Sequence, residues 1–359
     1  MNTYEYIGNG GVAMPARKTP NRDEWRQLYE AAIAFKKSRC WEWMYDDEIF
    51  GVKDPESGEI AYCCIMGNAG EHFGIAAYLG SEGLDGLLRI LSGDINPEDP
   101  DTMYIQKCLM CSFEDRADLD SKDLKIIKEL GLKFRGRNEW PVFRHYEPGF
   151  FPWFLNAHQC RFLTHVLRQA LDVALRCRRE KSILKHDTPF TFLVRVPVPG
   201  ENGILMWEDQ YLTAEPPKRG FISFYIADEI RAKKLRSIKP QKNLVFETEV
   251  FFAPSPVRER RERPYYPKVC LLLNHGNAMV ISFEMFKDIN REGYKCIEML
   301  ASYIERSGRK PSKLLVSREE TYHLFADVCQ QLGIQLEMVD GLDLMEEVRH
   351  SMFGFFLNP

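Results

Sequence analysis

Apolar residues recur at helical spacing through Trp25, Leu28, Tyr29, Ala32 and Phe35, and Asn21 with Glu24 forms a capping-box signature just ahead of them. This pattern predicts a first amphipathic helix. From Glu48 the period shortens. EIFGVK, EIAYCCIMG and HFGIAAYLG are short extended runs separated by DPESG and by the glycine-rich turn Asn68–Gly70, the pattern of an antiparallel meander. SEGLDGLLRIL then reads as a helix, YIQKCLMCSF as a strand, and SKDLKIIKELG as a helix stopped by Gly131. Together these predict an α+β domain over residues 21–155. Residues 1–20, with Gly8, Gly10, Gly11, Pro15 and Pro20 and little apolar period, read as a flexible leader without chemistry.

Between His158 and Arg179 a one-sided stripe of Leu163, Val166, Leu167, Ala170, Val173, Ala174 and Cys177 faces away from several arginines, which predicts a long helix bridging domains over 156–185. TFLVRVPVPG, ILMWEDQYL, FISFYIA and NLVFETEVFFAP follow as strands, with ADEIRAKKLRSI as a short basic helix among them, so 186–263 reads as a β-rich basic middle segment. Residues 264–359 give the order ββαβαβα, whose crossover lengths imply parallel neighbouring strands. The expected fold class is therefore an α+β N-terminal domain, a mostly β middle segment and a C-terminal α/β domain.

Composition narrows the function classes. The 359 residues exceed what one hydrophobic core usually supports, and 45% hydrophobic with 28% charged residues is the balance of an ordinary folded protein. The net charge of −4 hides an asymmetry: 18 basic against 26 acidic side chains in 1–150, 20 against 13 in 151–267, and 10 against 13 in 268–359. A basic band between acidic ends suits an anionic ligand or an acidic protein partner, while the near-neutral total argues against a dedicated nucleic-acid coat. There is no basic start followed by an apolar run and no apolar stretch of about 18 residues, so neither secretion nor membrane spanning is expected. Six of the ten cysteines, Cys63, Cys64, Cys108, Cys111, Cys270 and Cys329, lie in apolar runs where a reduced thiol behaves as a small hydrophobe, so the expected location is a reducing cytoplasm.

Two stretches carry a family resemblance. The segment Trp41–Trp153, with WEWM, DDEIFGVKDPESGEIAYCCIMG, GEHFGIAAYLGSEGL, SFEDR and LKFRGRNEWPVFRHYEPGFFPWFL, resembles uncharacterised bacterial proteins, chiefly from Firmicutes, known as domains of unknown function. The part from about Pro264 resembles a second such domain that often follows the first. The ββαβαβα order also resembles a shortened RNase H-like fold of integrases and transposases. That resemblance implies an Asp on the first strand and a second acid at the end of a later strand, together holding two metal ions. Those places fall on Asn274 and Ser317, and Ser317 with Glu320 reads instead as an N-cap and its capping-box partner. Glu284, Glu319 and Glu347 are the carboxylates left to refill the set. The expectation is a fold kept without its metal chemistry; the alternative is a metal-dependent phosphodiesterase acting on nucleic acid or a phosphorylated substrate.

Other motifs resolve into packing. Cys108 and Cys111 make a CxxC that Cys63 and Cys64 would complete to four thiolates, but positions i and i+3 of a strand face opposite ways. His158 and His165 share a helix face about 10 Å apart, too far for one ion. Glu71 and His72 form an acid/base pair at a turn, and more often such a pair is only solvated. The alternating charges of VRERRER and the basic helix Arg231–Arg236 read as solvated faces. No phosphate loop, nucleophile elbow or dinucleotide fingerprint is present, so the motifs assign no catalytic residue, metal ligand or cofactor.

One segment points to a ligand. Between Phe134 and Leu155, Arg135, Arg137 and Arg144 alternate with Trp140, Phe143, Tyr146, Phe150 and Trp153. Guanidinium forks on phosphate or carboxylate together with ring faces suit an anionic or aromatic ligand. The same residues also suit a rigid joint, with Pro141, Pro148, Gly149 and Pro152 fixing the path and Glu139 and Glu147 answering the arginines. Arg135, Arg137, Trp140, Arg144, Tyr146 and Trp153 are therefore the candidate ligand-binding residues, and any partner is a protein or an anionic ligand before nucleic acid.

Overall fold

In the computed structural model, which describes residues 19–94, 101–200, 205–217, 220–259 and 262–357, Asn21 caps α1 (Arg22–Ser38) and Glu24 closes the box, as the pattern predicts. Most of the expected leader, residues 1–18, lies outside the described residues. The described residues divide into two units, one over 19–217 apart from Gly149–Phe151, and the other comprising those three residues and the chain from residue 220.

In the first unit β1 (Phe50–Lys53), β2 (Ile60–Met66) and β3 (Gly74–Leu79) form the meander, followed by α2 (Gly80–Leu91) and the short α3 (Asp101–Tyr104). The strand expected from Tyr104 begins only at Cys108, as β4 (Cys108–Glu114). Then come α4 (Ser121–Leu130), β5 (Trp140–Tyr146), α5 (Ala157–Cys177), β6 (Thr191–Pro199) and β7 (Leu205–Thr213). The sheet order is β5-β4-β3-β2-β1-β6-β7, antiparallel throughout except that β6 runs parallel to β1. Pro141 is accommodated because β5 is an edge strand. Close approach at the parallel pair requires glycine at 51, where a Cβ would stand 2.8 Å from Val194 Cγ2.

This topology divides the chain differently from the sequence pattern. Residues 156–185 are not a bridge between domains: α5 packs with α1 in the main core of the first unit, burying Leu163, Val166, Leu167, Ala170, Val173 and Ala174. The expected middle segment 186–263 is split, its first two strands completing this sheet. The polar face of α5 meets β7, where Asp209 takes Arg176 and, at 2.5 Å, Arg195. A second ionic knot holds the β1–β2 turn. Asp54 accepts from Ser57 Oγ (2.5 Å) and lies 2.6 Å from His158 Nε2, while Arg161 joins Glu56 to Glu24 of α1. Burial opposes the charge of Asp54, yet the bonds from Ser57, the Glu56 N–H and His158 prevail and hold its carboxyl below the usual 3.8.

The second unit contains α6 (Glu229–Ser237), β8 (Pro240–Phe252), β9 (Lys268–Asn274), β10 (Met279–Phe286), the short α7 (Ile289–Glu292), α8 (Tyr294–Ser307), β11 (Lys310–Val316), α9 (Glu319–Leu332), β12 (Gln335–Met338) and α10 (Asp343–Leu357). The sheet order is β10-β9-β8-β11-β12; β8, β9 and β10 are antiparallel, and β11 is parallel to both β8 and β12. The expected strand FISFYIA does not form. Phe224 and Ile226 are buried, and the Ile226 backbone is satisfied by the Gln331 side chain through two 2.9 Å bonds, so no ladder is needed.

Buried charges brace this unit. The capping box expected from Ser317 and Glu320 is absent: Arg318 occupies the N-cap of α9 without a side-chain cap bond, and Glu320 binds Lys268. Glu249 from β8 does the capping instead, accepting from the Ser317 N–H, Ser317 Oγ (3.0 Å), the Arg318 N–H (3.0 Å) and Thr321 Oγ1 (3.0 Å). Burial raises its carboxyl pKa against these bonds. Lys310, 2% exposed, donates to the carbonyls of Arg236 and Leu332, at the ends of α6 and α9, each at 2.8 Å. Two segments expected to be solvated are tied down as well. Arg231 binds Glu298 and Glu305, and Arg263 donates to the Phe151 carbonyl; residues 260–261 lie outside the described residues. Among the described residues no helix is long and apolar enough to cross a membrane.

Two outcomes follow for stability. Glu249→Ala leaves several donors at the start of α9 unpaired and is expected to cost about 2–3 kcal/mol in urea unfolding, with Glu319→Ala, exposed at the same helix start, nearly neutral. Asp54 has a lowered folded pKa, so its contribution is complete above the unfolded value and is lost as pH falls through the folded one. Asp54→Asn should therefore lower stability at about pH 7 and flatten the decline toward about pH 3, read from unfolding midpoints across that range.

Candidate functional site

The C-terminus of α1 sets one wall of a groove in the first unit. Lys36 and Lys37 place positive charge in its last turn, where the helix dipole favours it. Arg39 then adopts the left-handed region at φ 53° and turns the chain into the short 3-10 turn Cys40–Glu42. That turn sets Trp41 beside Phe73 (5.2 Å between centroids) and Phe113 (6.0 Å). Gly67, at φ 127°, makes room for them; a Cβ there would meet Phe73 at 2.8 Å and Trp41 at 3.1 Å.

The opposite wall is the loop from Lys133 into β5. Asn138 is also left-handed (φ 53°), its N–H donating to Asp115 Oδ1 at 2.7 Å and its carbonyl accepting from Lys36 Nζ. Lys36 also pairs with Glu139 at 2.9 Å and lies 5.2 Å over Phe113, so this one lysine brackets the two walls. The open groove between them has a volume of about 670 Å³. Its apolar surface comes from Ile33, Trp41, Phe73, Phe113, Phe134 and Pro141, and its charged lining is Lys36, Lys37, Arg39, Lys133 and Arg137 against Glu139 alone. Arg39 reaches Glu42 at 2.7 Å and Arg137 lies 3.7 Å from Asp115 with 91% of its side chain exposed. Lys37 and Lys133 are exposed and have no ion-pair partner among the described residues. Such a lining attracts an anion and offers apolar contact to whatever carries it.

The sequence candidates scatter around this groove. Arg137 lines it, and Arg135 is exposed on the same loop. Trp140 stands behind the wall, 5.6 Å from Phe134 and under Arg116. Arg144 is held inside the unit, bidentate to Asp123 at 3.0 and 2.6 Å and over the Phe154 ring. Tyr146 packs half-buried against the cluster of Tyr62 and Tyr78, and Trp153 pairs backbone to backbone with His145 while its ring meets Phe154. Lys36, Lys37, Arg39, Trp41, Phe73, Phe113 and Lys133 were not singled out. Their one legible signal is KKSRCW at the end of α1, which the helix dipole already accounts for.

Other chemistry-bearing clusters are occupied internally. All ten cysteines are free and buried. Cys63 and Cys111 lie in one core cluster, Cys64 and Cys108 in another, so the four thiols do not converge. Burial raises Cys64 to about 12 and pushes Cys63, Cys108 and Cys111 higher still. His165 packs against Trp207, and Glu71 and His72 are exposed in their turn. Glu247, buried on β8, lies 2.5 Å from His275 Nδ1 through one oxygen, while its other oxygen has no hydrogen-bond partner among the described residues. A concavity of about 570 Å³ between β10 and α8 carries both signs, with Glu298 held by Arg231 and Lys295 by Glu292. Among the described residues no three His, Cys, Asp or Glu side chains group so as to hold a metal ion.

Comparison with known families follows the division of the two units. Residues 25–195, from α1 into β6, match the family model of a domain of unknown function, DUF7309. Residues 231–353, from α6 into α10, match a second domain of unknown function, DUF6930. The first match extends beyond Trp41–Trp153 on both sides, and the second starts at Arg231 rather than near Pro264, which brings α6 and β8 into it. No curated protein matches the chain. The chain thus joins two domains of unknown function, DUF7309 followed by DUF6930.

Proposed function

We propose that this is a non-catalytic binding or adaptor protein whose first unit takes an anionic ligand in the groove between α1 and the 133–141 loop. The observation that carries the reading is the charge of that lining: five cations against Glu139, with Lys37 and Lys133 exposed and without an ionic partner among the described residues. Arg144 and Arg231, by contrast, are cations held inside the fold, by Asp123 and by Glu298. The reading includes a reducing cytoplasm, supported by the ten buried free thiols, and a bacterial origin, which rests on the family resemblance of the sequence alone.

An RNase H-like arrangement of the second unit is part of the proposal. It is supported by the order β10-β9-β8-β11-β12, with three antiparallel strands followed by parallel β11 and β12. Counting then starts from β8 and not from β9, so the first-strand acids are Glu247 and Glu249 in place of Asn274. Both have internal roles: Glu249 caps α9 and Glu247 faces His275. Glu284, Glu319 and Glu347 belong to no three-ligand group among the described residues, which leaves the phosphodiesterase alternative with less support than binding.

Calorimetric titration with inorganic pyrophosphate tests the reading. Binding should weaken as salt rises, and Lys37→Ala with Lys133→Ala should reduce affinity by about tenfold, or about 1.4 kcal/mol. Affinity untouched by the double substitution, or metal-dependent phosphodiester turnover by the purified protein, would sink it.

A further inference from the structure

Resting on that reading of the groove, we infer that its ligand is a small molecule joining a flat ring to a phosphate. The rim cations come from two facing walls, Lys37 and Arg39 from the end of α1 and Lys133 and Arg137 from the loop. A phosphate presents several acceptor oxygens in different directions and can be held from both walls at once, whereas a single carboxylate offers one planar edge. Between the walls the surface is apolar. Ile33 is 37% exposed and Phe73 and Phe134 are half-buried, so all three have surface left to cover, while Trp41 and Phe113 form the closed floor beneath.

Size favours a single small molecule. A groove of about 670 Å³ lies within the range of roughly 300–1,000 Å³ that encloses one compact ligand. The Lys36–Glu139 pair bridges its two walls. Arg39 and Asn138, two of the four described non-glycine residues with positive φ, stand on opposite sides of it. Arg39 adopts this conformation as the left-handed cap that ends α1 and Asn138 as a residue type that readily takes it, and such backbone gathers at ligand clamps. Here it aims Arg39 at the rim and turns the Asn138 carbonyl to Lys36.

Binding of 1-naphthyl phosphate, inorganic phosphate and 1-naphthol to the full chain, measured by calorimetry, tests the inference. Naphthyl phosphate should bind at least about tenfold more tightly than phosphate, since burying a ring adds well over 1.4 kcal/mol. Ile33→Ser, an exposed helix-surface change, should shrink that ratio toward one, and Phe134→Ala should do the same if it folds. Adenosine monophosphate should behave as naphthyl phosphate does. Phosphate binding with no gain from the ring overturns this inference and leaves the anion-binding reading standing; no binding of either anion overturns both. A single-stranded tetranucleotide binding far more tightly than the monophosphate would overturn the small-molecule assignment in favour of an extended strand.

Discussion

The parallel pairing of β1 with β6 holds the first unit together, and it is the least local contact in that sheet. It joins Gly51 to Val194 and Val52 to Arg195 across more than a hundred residues, and closing a loop of that length is repaid only by what the closure buries. What it buries is α5, whose apolar stripe becomes the centre of the main core; each fully covered aliphatic side chain there contributes about 1.5–3 kcal/mol. Gly51 is the steric condition for the pairing, since any side chain would strike Val194. The groove depends on the same core, because Phe35 and Tyr29 of α1 pack into it and fix where the helix ends.

The second unit relies on β8 in a comparable way. This central strand supplies apolar side chains to clusters on both faces of its sheet. It also carries two buried carboxylates with opposite circumstances. Glu249 is fully engaged at the start of α9, so its charge serves as a helix cap delivered from another element. Glu247 has one oxygen on His275 and one without a partner, an arrangement that is expensive in a dry interior and rare among the described residues. Lys310 mirrors Glu249, placing a buried ammonium on the carbonyl ends of α6 and α9.

The groove gathers three kinds of local expense in one place: two left-handed non-glycine residues, two exposed lysines without ionic partners, and apolar side chains left open to solvent. Single features of these kinds occur elsewhere in the unit, as at the exposed, left-handed Phe190 and at the exposed Lys128, but in the groove they converge on one concavity. That convergence is what supports the binding reading, and it rests on placement more than on residue type, since Arg144 and Arg137 look alike in the sequence.

Local elements were legible from the amino-acid order alone. The capping box at Asn21, the β1–β2–β3 meander, the helix stopped at Gly131 and the alternation through the last domain depend on periodicity and on residues within a few positions. The burial of the cysteines was legible for the same reason. What the order could not supply were assignments that depend on distant partners. FISFYIA has the composition of a strand, but a glutamine more than a hundred residues away satisfies its backbone. Ser317 and Glu320 have capping-box spacing, but a buried glutamate from β8 takes the cap. The site divides the same way: Arg137 was visible within an aromatic and basic run, whereas its companions Lys37, Arg39, Trp41, Phe73 and Lys133 come from separate stretches of chain. Periodicity fixes which face of an element is apolar, while the identity of what covers that face, and so the groove, is set by long-range closure of the sheet.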